Sequence, residues 1–271
     1  MENIDKIVES IKKQAQVPSN SIGIIIGSCF SDFLDEIENK IVLPFTDIPN
    51  LKVYGSDKEE CKFIFGTLHG KNVIILHGRI HYSLGYSCQD IATPIYVLKE
   101  LGCEKLILCA SVGAISKKIK VGDIVTFNDQ INLTSRNPLN GISQERYGHR
   151  FIDMINPYDE QMIALLKDVG KNEMAIKVKE GVVVEFPGPS AETVSESKLA
   201  LQLGADIIAF NICNEVIAAK YCSLPIVVYG LVTNYASAFT NSKIKHEDIV
   251  YNRKCASNYY LGLLSKFVLH L

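Results

Sequence analysis

Residues 22–28 read IGIIIGS, a short apolar run that ends in a glycine and a serine. An apolar run bounded by turn residues predicts a strand that is buried on both faces, here Ile22 to Ile26. The Gly27-Ser28 turn would then lie at the carboxyl edge of the sheet, where open α/β sheets bind ligands, and it can present N–H groups and a hydroxyl to an anion. The stretch favours an α/β fold with Ser28 as a candidate anion ligand, although an ordinary turn explains these residues alone.

More apolar runs of the same kind follow along the chain. They are Cys61 to Phe65, Val73 to Leu76, Lys105 to Cys109, Asp123 to Phe127, Val182 to Phe186 and Ile226 to Leu231. Helical patterns accompany these runs. The first is at the start of the chain, where Ile4, Ile7, Val8 and Ile11 form one apolar stripe. The others are Asp90 to Leu101, Ala191 to Leu203, Asn214 to Cys222 and the stretch that ends at Leu269. The alternation predicts a mostly parallel sheet covered by helices, and the polar segment 128–156 is expected to be a functional or interface loop.

Composition narrows the class of protein. A chain of 271 residues that is 47% hydrophobic predicts one α/β domain over residues 1–271. Its net charge of −2 argues against a nucleic-acid partner. No apolar run approaches the length of roughly 18 residues that is needed to span a bilayer, which predicts no membrane partner and a cytoplasmic location. The eight cysteines stand singly, so we expect reduced thiols and neither disulfides nor a metal site.

A cationic pair follows the predicted strand Val73 to Leu76. Arg79 and His81 stand two residues apart in HGRIH, and in an extended segment such residues point to the same side. Together they can hold a phosphate by charge-assisted hydrogen bonds. A surface arginine beside a structural histidine is an equally good interpretation of this stretch alone.

Two further polar groups follow other predicted strands. Glu192 stands in GPSAET, in the expected first turn of a helix, where a charge that interacts with the helix dipole is the simpler explanation. Asn234 ends the strand that includes Leu231, where a turn residue is the simpler explanation. All these groups come directly after separate buried strands, so they could converge at one edge of one sheet.

At this point the chain resembles the trimeric, low-molecular-mass purine nucleoside phosphorylase family, over nearly its whole length and in the right order. The segments that carry the resemblance are GIIIGSCFSDFLDEI, GRIHYSLGY, VGDIVTFNDQINLTSRNPLNG, ERYGHRFIDM, GPSAETVSE, GADIIAFNICNEVIAAKYC and LVTN, followed by His246 in KHED. The resemblance implies an α/β fold with a single-domain mixed β-sheet flanked by helices, of the nucleoside phosphorylase/hydrolase type. It also implies a homotrimer with active sites near the subunit interfaces.

The resemblance assigns roles to individual residues. Positions that match phosphate ligands are Ser28, Arg79, His81, the backbone N–H of Ser111, and Asn211. Positions that match the nucleoside pocket are Glu192 and Asn234 for a 6-oxopurine base, Phe210 beside the base, His246 near the ribose 5′-hydroxyl, and Tyr147 offered by a neighbouring subunit. His81, Glu192, Asn234 and His246 would be the catalytic set, with inorganic phosphate as co-substrate and no cofactor or metal.

The implied reaction is phosphorolysis of inosine or guanosine. It passes through an oxocarbenium-like sugar, so the enzyme must hold an anionic nucleophile and stabilise charge on the departing purine. Asn234 would donate a hydrogen bond to N7 of the base. Glu192 would accept from the N1–H that a 6-oxopurine has and adenine lacks.

Several positions depart from the family pattern. Ser83 and Leu84 replace a tyrosine and an acid, Ala110 stands in place of the usual asparagine in the run Cys109 to Gly113, and Ser56 replaces a histidine. In the base and sugar pocket, the usual phenylalanine is Ala191 and the usual Met-Ser pair is Phe210-Asn211.

These departures keep two alternatives open. One is cleavage of nucleosides by water, and the other is a catalytically weak nucleoside-binding or regulatory protein. A dinucleotide-binding oxidoreductase is disfavoured because GSCFSD lacks the GxGxxG spacing, and a metal hydrolase because the six histidines form no HExxH cluster.

Overall fold

The computed structural model describes residues 2–54, 61–142, 146–240 and 245–271, apart from the side chains of Glu2 and Ser28. The chain divides into two compact units. The first unit comprises Met1–Leu108, Arg136–Ile155 and Asn214–Ile226. The second comprises Cys109–Ser135, Asn156–Cys213 and Val227–Leu271.

The strands described in the first unit pair in the order β2-β3-β4-β1-β5. Their bounds are β1 (Ser21–Ile26), β2 (Glu38–Pro44), β3 (Lys62–Leu68), β4 (Lys71–His77) and the first half of β5 (Cys103–Ala114). β1 runs parallel to β4 and β5, whereas β3 is antiparallel to β2 and β4. All six residues of β1 are buried, as the apolar run predicts for a strand with a neighbour on each side.

The helices described in the first unit are α1 (Glu2–Gln14), α2 (Cys88–Glu100) and α5 (Cys213–Tyr221), whose first residue belongs to the second unit. α1 buries the predicted apolar stripe and packs against α2. α2 begins at a capping box, in which the Ser87 hydroxyl accepts from the Asp90 N–H while the Asp90 carboxylate accepts from the Ser87 N–H. The start of this helix is therefore encoded locally.

The strands described in the second unit pair in the order β5-β8-β7-β6-β9. Their bounds are the second half of β5, then β6 (Ile124–Asn132), β7 (Lys179–Glu185), β8 (Ile207–Ala209) and β9 (Ile226–Tyr235). β6, β7 and β8 are parallel, but β5 is antiparallel to β8 and β9 is antiparallel to β6. The fold is thus α/β with mixed strand directions and flanking helices. β9 runs opposite to β6, so the strand directions are more mixed than the alternation of strands and helices predicts.

The helices described in the second unit are α3 (Glu160–Met174), α4 (Val194–Gln202) and α6 (His246–His270). α3 packs against α6. From α6 the buried Tyr260 hydroxyl accepts from the Ala110 N–H at 3.0 Å and donates to the Tyr229 carbonyl at 3.0 Å. One phenol therefore fastens α6 to both β5 and β9. β6 extends to Asn132, so the first part of the predicted loop 128–156 is strand.

Candidate active site

The first group of candidate residues lies where β1 and β4 end. Because these strands are parallel, with Ile26 opposite His77, both leave the sheet at the same edge. The Gly78 N–H donates to the Ile26 carbonyl at 2.9 Å and holds the two exits together. The structure therefore brings the Ser28 backbone and the Arg79 segment to one edge of the first unit, while the Ser28 side chain lies outside the described part of the chain.

His81 and Arg79 differ in charge. Burial and the nearby Arg79 guanidinium lower the pKa of His81 from 6.5 to about 4. The imidazole is therefore neutral at pH 7, and of the two side chains Arg79 alone supplies positive charge. A neutral ring can still donate or accept one hydrogen bond, and a contact from His81 to phosphate stays a prediction.

Sequence reasoning missed the ion-pair partner of Arg79. The Arg79 Nη2 donates to Oε2 of Glu215, in the first turn of α5. The side chains are only 9% and 4% exposed, so the pair is buried. The signal was an acid inside the otherwise apolar helical pattern NEVIAA, because an acid at such a position is rarely buried without a partner.

The second group lies in the second unit, around the carboxyl ends of β5 and β9. The Ala236 N–H donates to the Ala114 carbonyl at 2.8 Å, which joins the segment after Asn234 to the end of β5. The Asn234 Oδ1 accepts from the Thr233 hydroxyl at 3.0 Å, and its Nδ2 donates to the Tyr235 carbonyl at 3.2 Å. The amide is half-buried and fixed at both ends, and Nδ2 has a second N–H to offer.

Glu192 is held to the Asn234 segment. Its Oε1 accepts from the Ser237 N–H at 2.8 Å, and its backbone carbonyl accepts from the Ser237 hydroxyl at 2.7 Å. The side chain is 7% exposed. Glu192 does not lie in the first turn of a helix, as the sequence had suggested, because Thr193 caps α4 in a capping box with Glu196 and the helix begins only at Val194. Its environment is that of a buried acceptor rather than a helix-end charge.

Phe210 and Asn211 follow β8 in the same unit. Phe210 packs against an apolar cluster that includes Phe186 and Ala236. Asn211 is fully buried with φ of +61°, a left-handed conformation that asparagine tolerates better than most residues. Phe210 thus packs against a cluster that includes Ala236, two residues after Asn234.

Glu185 is a second residue that sequence reasoning missed. It ends β7, is fully buried, and its Oε2 accepts from the Ile212 N–H at 2.7 Å and from the Cys213 N–H. These N–H groups stand at the start of α5, where the helix dipole favours a negative group. The carboxylate therefore binds the two N–H groups that lead into α5.

The two remaining predicted substrate residues are Tyr147 and His246. The Tyr147 hydroxyl donates to Glu100 at 2.7 Å, and its ring stacks on Tyr96 with centroids 5.6 Å apart, all within the first unit. His246 is the first residue of α6 and is exposed. Their roles at a subunit interface and at the ribose stay predictions. Ser56, one of the departures from the family pattern, lies outside the described residues.

Within the described ranges, no three His, Cys, Asp or Glu side chains are grouped so that they could hold a metal ion. No helix described here has the length and apolar character needed to cross a membrane.

Comparisons with known proteins agree with this geometry. The model of the "Phosphorylase superfamily" matches residues 21–268. "Purine nucleoside phosphorylase 1" of Geobacillus stearothermophilus is 33% identical over 232 residues, 86% of this chain and 84% of the relative. The protein of the same name from Bacillus subtilis is 32% identical and covers 88% of both chains. A crystal structure of Schistosoma mansoni purine nucleoside phosphorylase with inosine superposes with a TM-score of 0.93 at 31% identity, over 100% of this chain and 97% of the other. The chain therefore belongs to the phosphorylase superfamily and, within it, to the purine nucleoside phosphorylases.

Proposed function

We propose that this protein is a purine nucleoside phosphorylase that cleaves 6-oxopurine ribo- and deoxyribonucleosides, such as inosine and guanosine, with inorganic phosphate. The products are the free base and (deoxy)ribose 1-phosphate. The observation that carries the proposal is the pair of hydrogen bonds from Ser237 to Glu192, because they join the carboxylate and the Asn234 segment into one assembly in the second unit.

Base selection would rest on Glu192 and Asn234. One oxygen of the Glu192 carboxylate is engaged by the Ser237 N–H, and the other can accept from N1–H of a 6-oxopurine. Adenine has no proton at N1, so adenosine would leave this buried acceptor unsatisfied, which is the kind of mismatch that gives strong discrimination. The free N–H of Asn234 Nδ2 would donate to N7 as the base departs.

The phosphate would bind at Arg79, His81 and the Ser28 and Ser111 backbones, with Asn211 as a further ligand. An oxygen of phosphate forms a bond to C1′ while the bond from C1′ to N9 breaks, and the electron pair of that bond leaves with the purine. Arg79 holds the nucleophile, and Asn234 stabilises the negative charge that develops on the base. The complex of the schistosome relative with inosine supports this substrate class.

The test is release of hypoxanthine from inosine with and without millimolar phosphate, with the sugar product identified as ribose 1-phosphate or ribose. We expect phosphate-dependent release, slower by about a hundredfold in Asn234→Ala because a preorganised transition-state contact is lost. Asn172→Ala is the matched control, since Asn172 lies on α3 and bonds to Asp168. Release of ribose independent of phosphate would identify a hydrolase. Binding without release would identify a nucleoside-binding protein.

A homotrimer is part of the proposal. Phe151 and Ile155 are 78% and 73% exposed in the segment that the sequence predicts as an interface loop, and large apolar side chains exposed to this degree are compatible with an interaction surface. Light scattering in solution would report a mass near three times 30.1 kDa. A monomer at micromolar concentration would contradict it.

We also propose that both units act as one nucleoside phosphorylase domain, because a single family model spans both. A cytoplasmic location is supported by the eight cysteines, all of them described, which form no disulfide with one another. Fluorescence microscopy of the tagged chain in its native cell would test the location. Signal outside the cytoplasm would contradict it.

A further inference from the structure

Two adjacent residues of α5 hold the segment that carries the phosphate candidates. Glu215 accepts from the guanidinium of Arg79, and the neighbouring Asn214 donates from Nδ2 to the Tyr82 hydroxyl. Asn214 is fully buried, and the side chain of Glu215 is 4% exposed. The two bonds reach the segment on either side of His81, so the first turn of α5 clamps it at both ends.

The clamp acts on a side chain that would otherwise be mobile. A free arginine side chain loses rotamer entropy when it becomes ordered. Here Nη2 is fixed by a buried carboxylate, and the planar fork then dictates the direction of the other N–H groups. Across the segment, the Arg136 guanidinium lies 4.4 Å from the centre of the Tyr82 ring and covers the second attachment point.

The charge of Glu215 alone would disfavour phosphate binding at Arg79. A negative charge beside the proposed anion site weakens the attraction for phosphate, so the carboxylate does not serve affinity through its charge. It serves through the orientation that it imposes on Arg79. We infer that Glu215 is a positioning residue, which sets the direction of the Arg79 guanidinium toward phosphate through a buried ion pair. This inference rests on the proposed function.

Two conservative variants separate orientation from charge. Glu215→Asp keeps the charge but shortens the side chain by one methylene, so the guanidinium must shift or lose its contact. Glu215→Gln keeps the length and an acceptor oxygen but loses the charge. If orientation matters, we expect Glu215→Asp to lower kcat/KM for phosphate by about ten- to a hundredfold, with KM for inosine within about twofold, because a misplacement near 1 Å costs about that much. Glu215→Gln should retain most of the wild-type kcat/KM for phosphate.

The matched control is Glu180→Asp, the same change at a β7 residue that forms an ion pair with Lys167 of α3. All of its kinetic constants should stay within about twofold of the wild type. Each variant is also melted with and without phosphate, because a ligand that binds the native state raises Tm. The Glu215→Asp protein should need about tenfold more phosphate for the same rise in Tm, a readout that loss of stability alone does not move.

Several results would overturn the inference. One is a Glu215→Asp enzyme with wild-type kcat/KM for phosphate. A second is a Glu215→Gln enzyme as impaired as Glu215→Asp, and a third is an equal loss for phosphate and inosine. If the wild type fails to cleave inosine yet still shows the phosphate-dependent rise in Tm, the proposed function fails, and the comparison of the two variants by Tm still decides the inference. A wild-type Tm indifferent to phosphate would overturn both.

Discussion

Gly113→Ala should disturb one candidate catalytic group while leaving the backbone in place. Gly113 lies on β5 opposite Ile208, and its φ is not in the left-handed region, so alanine fits the backbone. A Cβ at this position would lie 3.1 Å from Nδ2 of Asn234 and 3.8 Å from its Cγ. Such a contact is tighter than nine in ten real Cβ contacts, so the amide must move by a few tenths of an ångström.

The size of the effect follows from that displacement. A misplacement near 1 Å costs about a hundredfold in rate, so a shift of a few tenths should lower kcat/KM for inosine by about three- to tenfold. The strain of one extra methyl group in a packed site costs on the order of 1 kcal/mol, which leaves the protein folded. KM for phosphate should change less than kcat/KM for inosine, because the three atoms nearest the added Cβ all belong to Asn234.

The assay is initial-rate kinetics on inosine at saturating phosphate, with Tm measured on the same preparations. Gly262→Ala on α6 is the matched control, because its Cβ would meet only the flexible end of the Met174 side chain at 3.2 Å. That variant should retain wild-type kinetics. A Gly113→Ala enzyme that is folded and fully active on inosine would refute the reasoning, because the rate would then not depend on the exact position of the Asn234 amide.

Three further outcomes are expected. Because the pKa of His81 is lowered in the folded state, the unfolded chain binds more protons between pH 6.5 and about 4, so the free energy of unfolding falls as pH falls through that range, by up to about 3 kcal/mol. Urea unfolding at several pH values should show a shallower fall in His81→Gln, and equal slopes would contradict this. Tyr260→Phe should lose about 1–3 kcal/mol in the same assay, because the Ala110 N–H loses its buried acceptor; an unchanged free energy of unfolding would count against that role. Glu192→Gln keeps an acceptor for the Ser237 N–H but turns an NH₂ toward N1–H of the base, so kcat/KM for inosine should fall about a hundredfold while that for adenosine changes little; parallel losses on both nucleosides would argue against base recognition.

Much of the fold follows from local patterns. β1 was predicted to within one residue because it is apolar throughout and buried on both faces. β2 was missed because five of its seven residues are exposed, and β8 because three residues carry too little pattern. α3 has the helical spacing of Met162, Leu166 and Val169, all buried, and was passed over among the turn signals that precede it.

The candidate site divides in a similar way. Arg79 and His81 stand two residues apart in the chain, so their pairing is visible in the sequence. The partner of Arg79 stands 136 residues away, and Ser237 stands 45 residues from Glu192. Contacts over such separations depend on the tertiary fold, which single-sequence periodicity does not encode. The neutral state of His81 was also hidden, because it depends on burial.

The carboxylate of Glu185 determines where an incoming anion can be accommodated in the second unit. Two backbone donors at the positive end of α5 already have a resident negative group supplied by the protein itself. A phosphate ion cannot use those donors without displacing a buried side chain. The start of α5 therefore already binds a carboxylate of the protein itself, so a phosphate ion must bind at other groups. Glu185 thus prevents a phosphate ion from binding at the start of α5, because its carboxylate already occupies those two donors.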